Sequence, residues 1–529
     1  MKEILGKNIQ DAILKIQSED SDWDVFDIEE IGVDVDYPKN ESFGDFSANI
    51  AMILASKIKK SPKEIAEKIA SFLNIENISK SEVVMPGYIN FHLSENYLQS
   101  LIKTVNKKAG EFGNSEINSN RKVNNEFISA NPTGPLHLGN GRGGFLGDVL
   151  GRALRKTGAE VVNEYYVNDA GEQVVKLGHS VLKDTEAVYA GDYIDELNEE
   201  FKSGDVREIG LKAADKILEN YIKRTVKEKM GISFDSWVSE KKDIVESGKI
   251  DEALDALNKK GMVFEKDGAT WLRTTKFGDD KDRVLVKENG EKTYFASDCG
   301  YILNKMERGF TDIIEIWGAD HHGYVSRFGA AAKALGFEGE IKFILVQLVR
   351  LMKDGKEFRM SKRAGNVVSI DELIEEVGAD VTRFFFLMYG ADSHMDFDLG
   401  LAKERSSKNP VFYVQYAHAR ISGILEKSEI ENNDADLSLL IHEKELSLLR
   451  EIDKFPGLVQ EVSESCAVHK FPQYAIKLAD KFHSFYNECK VIDESNIELS
   501  TARLELIGAV RSILKETLDL IGVSTPDKM

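Results

Sequence analysis

The chain has 529 residues and a formal net charge of −21. It is too long for one hydrophobic core, and too acidic overall for a protein that coats nucleic acid. About three domains are expected, and a local basic surface on one of them would still suffice to meet RNA phosphates. The cysteines Cys299, Cys466 and Cys489 are scattered, with no CxxC pair and no His/Cys cluster of zinc spacing, so neither a disulfide framework nor a zinc site is expected. The opening MKEILGKNIQDAILKIQSED reads as an acid-bearing amphipathic helix rather than a signal peptide. No apolar run approaches the roughly 18 residues of a membrane span. A soluble, cytoplasmic protein without a membrane partner is the expectation.

In chain order, residues 1–118 read as a small α+β domain. A helix is predicted over about Glu3–Gln17. A turn-rich stretch, Tyr37–Ser47, then leads to a second helix ending near Lys60, and Ser61-Pro62 opens a third with proline at its first position. VVMPGYINFHL (Val83–Leu93) is strand material broken by a Pro-Gly turn. The Asn/Ser-rich segment Gly113–Asn125 is a linker into the next domain, expected over 119–408.

That domain opens on NNEFISANPTGPLHLGNGRGGFLGDVLGRALRKT (Asn124–Thr157). Phe127 and Ile128 end a short apolar run suited to a buried strand. Asn131–Gly141 is a Gly/Pro/Asn-rich loop. Phe145, Leu146, Val149, Leu150, Ala153 and Leu154 then recur at helical spacing. Strand, tight loop and helix in this order leave unpaired backbone N–H groups and the positive end of a helix dipole facing the loop, an anion site. His137 and Asn140 could both donate to a phosphate, with Gly139 allowing close approach; the plainer reading is a capped helix with Asn140 as N-cap. A second strand is predicted at Val161–Val167, and strand–helix–strand begins a parallel nucleotide-binding sheet. Over about 178–290 the alternation breaks into charged helices and two hairpins turning at Asp267-Gly268 and Asn289-Gly290, read as an insertion. The sheet resumes with a strand-to-helix junction carrying Tyr294 and Asp298, a strand at Ile313–Ile316 and another at Ile341–Leu348. The adjacent His321 and His322 lack a third ligand at suitable spacing, so a metal is not expected there. From Asn409 to residue 529 only helical periodicity is found, an all-α bundle. Its aromatics Phe412, Tyr413, Tyr416, Phe482, Phe485 and Tyr486 read as core rather than as a stacking platform.

Lys356–Asn366 reads KEFRMSKRAGN, a basic loop next to glycine. Together with HLGN at His137–Asn140, its RMSKR resembles the paired HIGH and KMSKS signatures of class I aminoacyl-tRNA synthetases. Further stretches, SANPTGPLHLGNGRGG, TYFASDCGYILNKMERG, WGADHHGYVSRF, NPVFYVQYAHAR, FHSFYNEC and the closing PDKM, narrow the resemblance to arginyl-tRNA synthetases, and PKNESFGDFSANIA with VVMPGYINFHL resembles that family's N-terminal domain. The resemblance implies a multidomain architecture: a Rossmann-type α/β catalytic domain with an insertion, a small α+β N-terminal domain and an all-α anticodon-binding bundle. It implies an aminoacyl-tRNA ligase that activates L-arginine with ATP and Mg2+ and transfers it to tRNA(Arg), with tRNA needed for activation and a monomer as the working form.

It also implies roles for particular residues. His137, Asn140 and Lys362 are the catalytic group, stabilising charge on the transferring phosphate. ATP would be held by Pro132, Gly134, His137, Gly139, Asn140, Gly318, Asp320, His321, Met360, Ser361 and Lys362. Arginine would be held by Glu126, Ser129, Asn131, Tyr294, Asp298 and His322, since a planar cation is best matched by carboxylates that accept its forked N–H groups. Asn40, Phe43, Gly44, Asp45, Tyr413 and Gln415 would meet tRNA. Three departures stand out: Asn140 replaces the second histidine of HIGH, Arg359 replaces the first lysine of KMSKS, and the Asp320-His321-His322 run stands where some relatives carry a glutamine.

Overall fold

The computed structural model describes residues 1–358, 368–430 and 435–529. The first helix runs Lys2–Glu19 and buries Leu5, Ile9, Ile13 and Ile16, the one-sided pattern of its sequence. Pro62 opens the helix Pro62–Ser71, where Ser61 and Glu64 cap one another's backbone N–H groups. Four antiparallel strands lie in the order Val35–Asp36, Phe46–Ala48, Tyr88–Leu93, Ile78–Val84. The last two form the hairpin expected around Pro86-Gly87.

The central sheet has five parallel strands: β1 (Lys122–Glu126), β2 (Glu160–Val167), β3 (Ser236–Ser239), β4 (Asp312–Gly318) and β5 (Glu340–Val346), in the order β5-β4-β1-β2-β3. Helix α1 (Leu138–Lys156) follows β1, α2 (Tyr294–Glu307) precedes β4, and α3 (Val325–Leu335) follows it. The chain runs outward in both directions from the β1/β4 seam, so a crevice opens at the carboxyl ends of those two strands, where open α/β sheets bind their ligands. Helix α1 lies very close to the sheet. A Cβ at Gly147 would stand 2.2 Å from the Phe127 ring.

Three sequence expectations change here. The first strand is the polar run Lys122–Glu126 rather than an apolar run ending at Phe127 and Ile128, and the expected linker ends inside it. Of its two buried asparagines, Asn125 donates to Gly147 O and to Asn163 Oδ1, each at 2.9 Å, whereas the Asn124 side chain has no hydrogen-bond partner among the described residues. Second, the stretch 178–290 is not wholly apart from the sheet, because β3 comes from within it and pairs with β2 from Glu164 to Val167. Tyr165 stacked on Trp237 at 4.5 Å seals that edge. Third, the hairpin at Asp267-Gly268 forms, joining Val263–Lys266 to Ala269–Leu272, but the one at Asn289-Gly290 has no full return strand. Lys287 N donates to Glu291 O at 2.9 Å and Val286 bridges Lys292 before Thr293 caps α2.

The C-terminal bundle comprises Pro410–Lys427, Glu443–Ser465, Lys470–Glu488 and Ile497–Ile521. Buried Arg383, on the helix Ala379–Leu387, ties it to the sheet domain. Its guanidinium pairs with Asp148 of α1 and donates to Ile521 O at the end of the last bundle helix and to Met230 O at 3.0 Å. Among the described residues no helix is long and apolar enough to cross a membrane.

Candidate active site

The loop after β1 is held in an unusual shape. Ile128 and Ser129 both have positive φ, 68° and 37°, a region costly for a β-branched residue. Ser129 Oγ donates to Glu126 Oε1 at 2.9 Å and accepts from Tyr166 N at 3.0 Å. Tyr165 and Tyr193 pin the loop further on through Ala130 O and Thr133 O. Pro132 is buried, Asn131 is exposed, and Gly134 leaves room for the Tyr193 hydroxyl, which a Cβ there would approach to 3.0 Å.

His137, not Asn140, is the N-cap of α1. Its Nδ1 accepts from the N–H groups of Gly139 (3.1 Å) and Asn140 (3.3 Å), and the Asn140 side chain returns the contact to His137 N at 3.1 Å. An imidazole that accepts at Nδ1 carries its proton on Nε2, so the ring presents a neutral donor on its accessible side. Desolvation lowers the His137 pKa, with Asp320 pulling the other way. A Cβ at Gly139 would fall 3.0 Å from the His137 ring, so a larger residue there would push on the capping imidazole. Beyond the loop, His137 bridges Ser369 and Ile370 N donates to Leu136 O at 2.9 Å. The chain just after the second signature loop is thereby stitched to the first. Arg359, Met360, Ser361 and Lys362 themselves lie outside the described residues.

Across the seam, β4 ends at Gly318 and passes into the 3-10 turn Ala319–Tyr324, where Asp320, His321 and His322 are exposed. Gly318 makes room for Asp320, whose Oδ1 would be 2.5 Å from a Cβ there. Among the described residues no group of three or more His, Cys, Asp or Glu side chains is placed to hold a metal ion.

Tyr294 and Asp298 stand on the first turns of α2, Tyr294 largely exposed against the Gly171–Glu172 turn. Burial and then Glu240 raise the Asp298 carboxyl to about 7; Arg327 offsets part of this and Glu126 adds to it. Glu240, just after β3, is likewise raised to about 7, by burial and then by Asp169, and its Oε2 has no hydrogen-bond partner among the described residues. Among the described residues neither carboxylate has a hydrogen-bonded cation, so the two are candidates to meet a positive ligand. Glu240 falls within the stretch that reads as an insertion, and no sequence motif singles it out. Arg327, whose guanidinium stacks 4.4 Å from the Tyr324 ring, is likewise outside the expected set.

Glu126 sits at the end of β1 as expected, but its carboxylate is already engaged: Oε2 accepts from Tyr301 Oη (2.6 Å) and Lys305 Nζ (2.7 Å), Oε1 from Ser129. A carboxylate offers about four acceptor sites, so these three contacts leave room for one further donor. Cation binding requires ionised carboxylates at Asp298 and Glu240, and both are raised in the empty protein. Ligand binding should accordingly take up no proton and release one or more, and affinity should rise as pH increases. Between about pH 8 and pH 6 the affinity for a guanidinium ligand is expected to weaken on the order of tenfold for each carboxylate that protonates. Calorimetry in buffers of different ionisation enthalpy checks this; a flat profile without proton release would remove the two carboxylates from the pocket.

The other group is dispersed. Asn40 caps Ser42 N, Phe43 is exposed, and Gly44 has φ 115° against Phe91 O. Asp45 is spent internally on Leu93 N (2.7 Å) and Arg450 (3.0 Å). Gln415 is buried and donates to Asp380 and Ser524 O. These contacts explain Gly44, Asp45 and Gln415 without RNA. Tyr413 instead lines a cavity of about 380 Å³ with Phe412, Tyr416, Arg420 and His483. Phe482 and Phe485 are core as expected, whereas Tyr416 is open to solvent.

A parallel β5-β4-β1-β2-β3 sheet, with the histidine-capped loop at its seam and the second signature segment stitched beside it, is the arrangement of a class I tRNA synthetase catalytic domain. The family model described as "tRNA synthetases class I (R), catalytic domain" matches residues 102–384. Models of the arginyl tRNA synthetase N terminal domain and the DALR anticodon binding domain match 3–93 and 414–529. Arginine–tRNA ligases of Bacillus licheniformis and Bacillus subtilis are each 42% identical, covering 100% of this chain and 99% of theirs. The solved arginyl-tRNA synthetase of Thermus thermophilus shares the fold, with a TM-score of 0.79 at 21% identity over the full length of both chains. The chain belongs to the arginyl-tRNA synthetase family.

Proposed function

We infer that this protein is an arginine–tRNA ligase. It joins L-arginine and ATP into arginyl-adenylate and pyrophosphate, then passes the arginyl group to the 3′ end of tRNA(Arg), releasing AMP. The amino-acid identity rests on membership of the arginyl-tRNA synthetase family, and the Asp298 and Glu240 carboxylates beside the seam suit a cationic side chain. A guanidinium satisfies both, which no neutral or acidic side chain does.

In the first step the arginine carboxylate attacks the α-phosphorus and the bond to pyrophosphate breaks. Charge develops on the phosphoryl oxygens, and the Nε2–H of His137, the Asn140 amide and the N-terminus of α1 are fixed donors for it. We assign Asn131 to the amino end of arginine and the exposed Asp320–His322 turn to the ribose of ATP, by their position at the carboxyl ends of the strands. Lys362 adds a cation from the second signature, and Mg2+ arrives with the nucleotide phosphates. The resemblance adds that activation waits for tRNA. Pyrophosphate exchange against the twenty amino acids, with and without tRNA, tests the whole reading. Exchange with arginine alone, only when tRNA is present, is expected; exchange with another amino acid would discard the pocket.

The cavity at Tyr413, Tyr416 and His483 is assigned to a splayed anticodon base, which an exposed aromatic face can stack. Tyr416→Ala is expected to raise the KM for tRNA by on the order of tenfold, with no change in the KM for ATP. Filter binding with the isolated tRNA gives the same comparison, and unaltered affinity would return Tyr416 to a purely structural role.

A further inference from the structure

Beneath the pocket lies a buried polar layer that the reaction itself does not touch. Lys305 of α2 is fully buried, and its Nζ donates to Glu126 Oε2 at 2.7 Å and to Glu315 Oε1 at 2.6 Å. Tyr301, one turn earlier, donates to Glu126 Oε2 at 2.6 Å and lies 2.7 Å from Glu164 Oε1. Arg308 pairs with the far side of Glu164, and Trp317 Nε1 donates to Glu315 Oε2 at 3.2 Å. One cation and one hydroxyl thus join β1, β2 and β4 at the seam. Burying this many charges is costly, and an apolar layer of the same shape would hold the helix at least as well. Its geometry has a direction. Glu126, gripped from below at Oε2, holds the Ser129 hydroxyl at Oε1, and Ser129 is half of the left-handed Ile128–Ser129 turn. The same face of α2 carries Tyr294 and Asp298 above and Tyr301 and Lys305 below, spaced four, three and four residues apart.

We propose that Lys305, acting with Tyr301, is a positioning residue for arginine: it fixes the Glu126 carboxylate, which locks the strained Ile128–Ser129 turn and so sets Ser129 and Asn131 against the substrate. This rests on arginine being the amino acid that occupies the pocket. Lys305 reaches no substrate atom. Its effect falls on the amino-acid end of the site, and the ATP end, built on His137 and α1, stands apart from it.

The test uses the full-length protein in pyrophosphate exchange with tRNA present. The wild type is first shown to use arginine; a wild type that used another amino acid would overturn the substrate reading before any variant is compared. Tyr301→Phe, which removes one hydroxyl and no volume, and Lys305→Gln are then measured. Each is expected to raise the arginine KM about tenfold while leaving the ATP KM unchanged. Because Lys305→Gln strands two buried carboxylates and puts folding at risk, Tyr301→Phe with an unchanged melting temperature decides alone. An unaltered arginine KM in Tyr301→Phe, or equal rises in the arginine and ATP KM values, would overturn the proposal.

Discussion

Asp298→Ala is expected to lower kcat/KM for arginine activation by on the order of a thousandfold or more, with ATP affinity retained. The reason is asymmetric. Burying a guanidinium beside a hydrogen-bonded carboxylate is tolerable, whereas burying it against a methyl group leaves an uncompensated charge. Glu240 would remain, but with Asp298 gone the guanidinium keeps one carboxylate where it had two. Asp298→Asn separates charge from shape: it keeps the size and should fail nearly as badly. Exchange kinetics with equilibrium dialysis of ATP makes the comparison, and near-normal arginine use by the alanine variant would end the pocket assignment.

The second large effect concerns stability rather than chemistry. Asp148→Ala leaves the Arg383 guanidinium, only 2% exposed, with backbone carbonyls alone. Burial pushes that guanidinium down to about 9, so it still enters the folded protein charged. Breaking a buried pair from one side costs about 3–5 kcal/mol, and urea unfolding should shift to correspondingly lower concentration. Arg383→Met should cost less, because Asp148 keeps Arg152 at 3.0 Å and the methionine fills part of the space. Equal losses in the two variants would mean that packing, not charge, dominates at this junction.

Much of the molecule was legible in the sequence because periodicity and turn chemistry report locally. The first helix, the Ser61-Pro62 start, the Asp267-Gly268 hairpin and all four bundle helices follow from spacing and caps. The strand carrying the site was harder to see. Lys122–Glu126 is almost entirely polar, and a buried strand is sought among apolar residues; the Asn125 amide and the Glu126 carboxylate find their partners on distant segments, which no local window can show. The insertion was drawn too wide for a similar reason, since Ser236–Ser239 is four residues long and earns its place through Tyr165, Phe234 and Trp237. Asn140 was read as the cap because asparagine is the common choice, while a histidine that accepts at Nδ1 does the same work one turn edge earlier. One signal was present and unused: Tyr294, Asp298, Tyr301 and Lys305 form a polar stripe on a single helical face, and a polar stripe pointing inward marks a network.

The seam at the site also bears on how the chain reaches this state. Thr311 and Lys122, which close the lower end of the β1/β4 pairing, are 189 residues apart in sequence. While the protein is being synthesised, β1 can align with β2 early, but its other edge stays open until β4 emerges. Contacts of such separation form slowly, and open edges invite pairing with other chains. The polarity of β1 suits that interval. Asn124, Asn125 and Glu126 are comfortable in water, so the exposed edge waits as a hydrated strand rather than a sticky one, and it becomes a buried one only when β4 and the Lys305 ammonium arrive together.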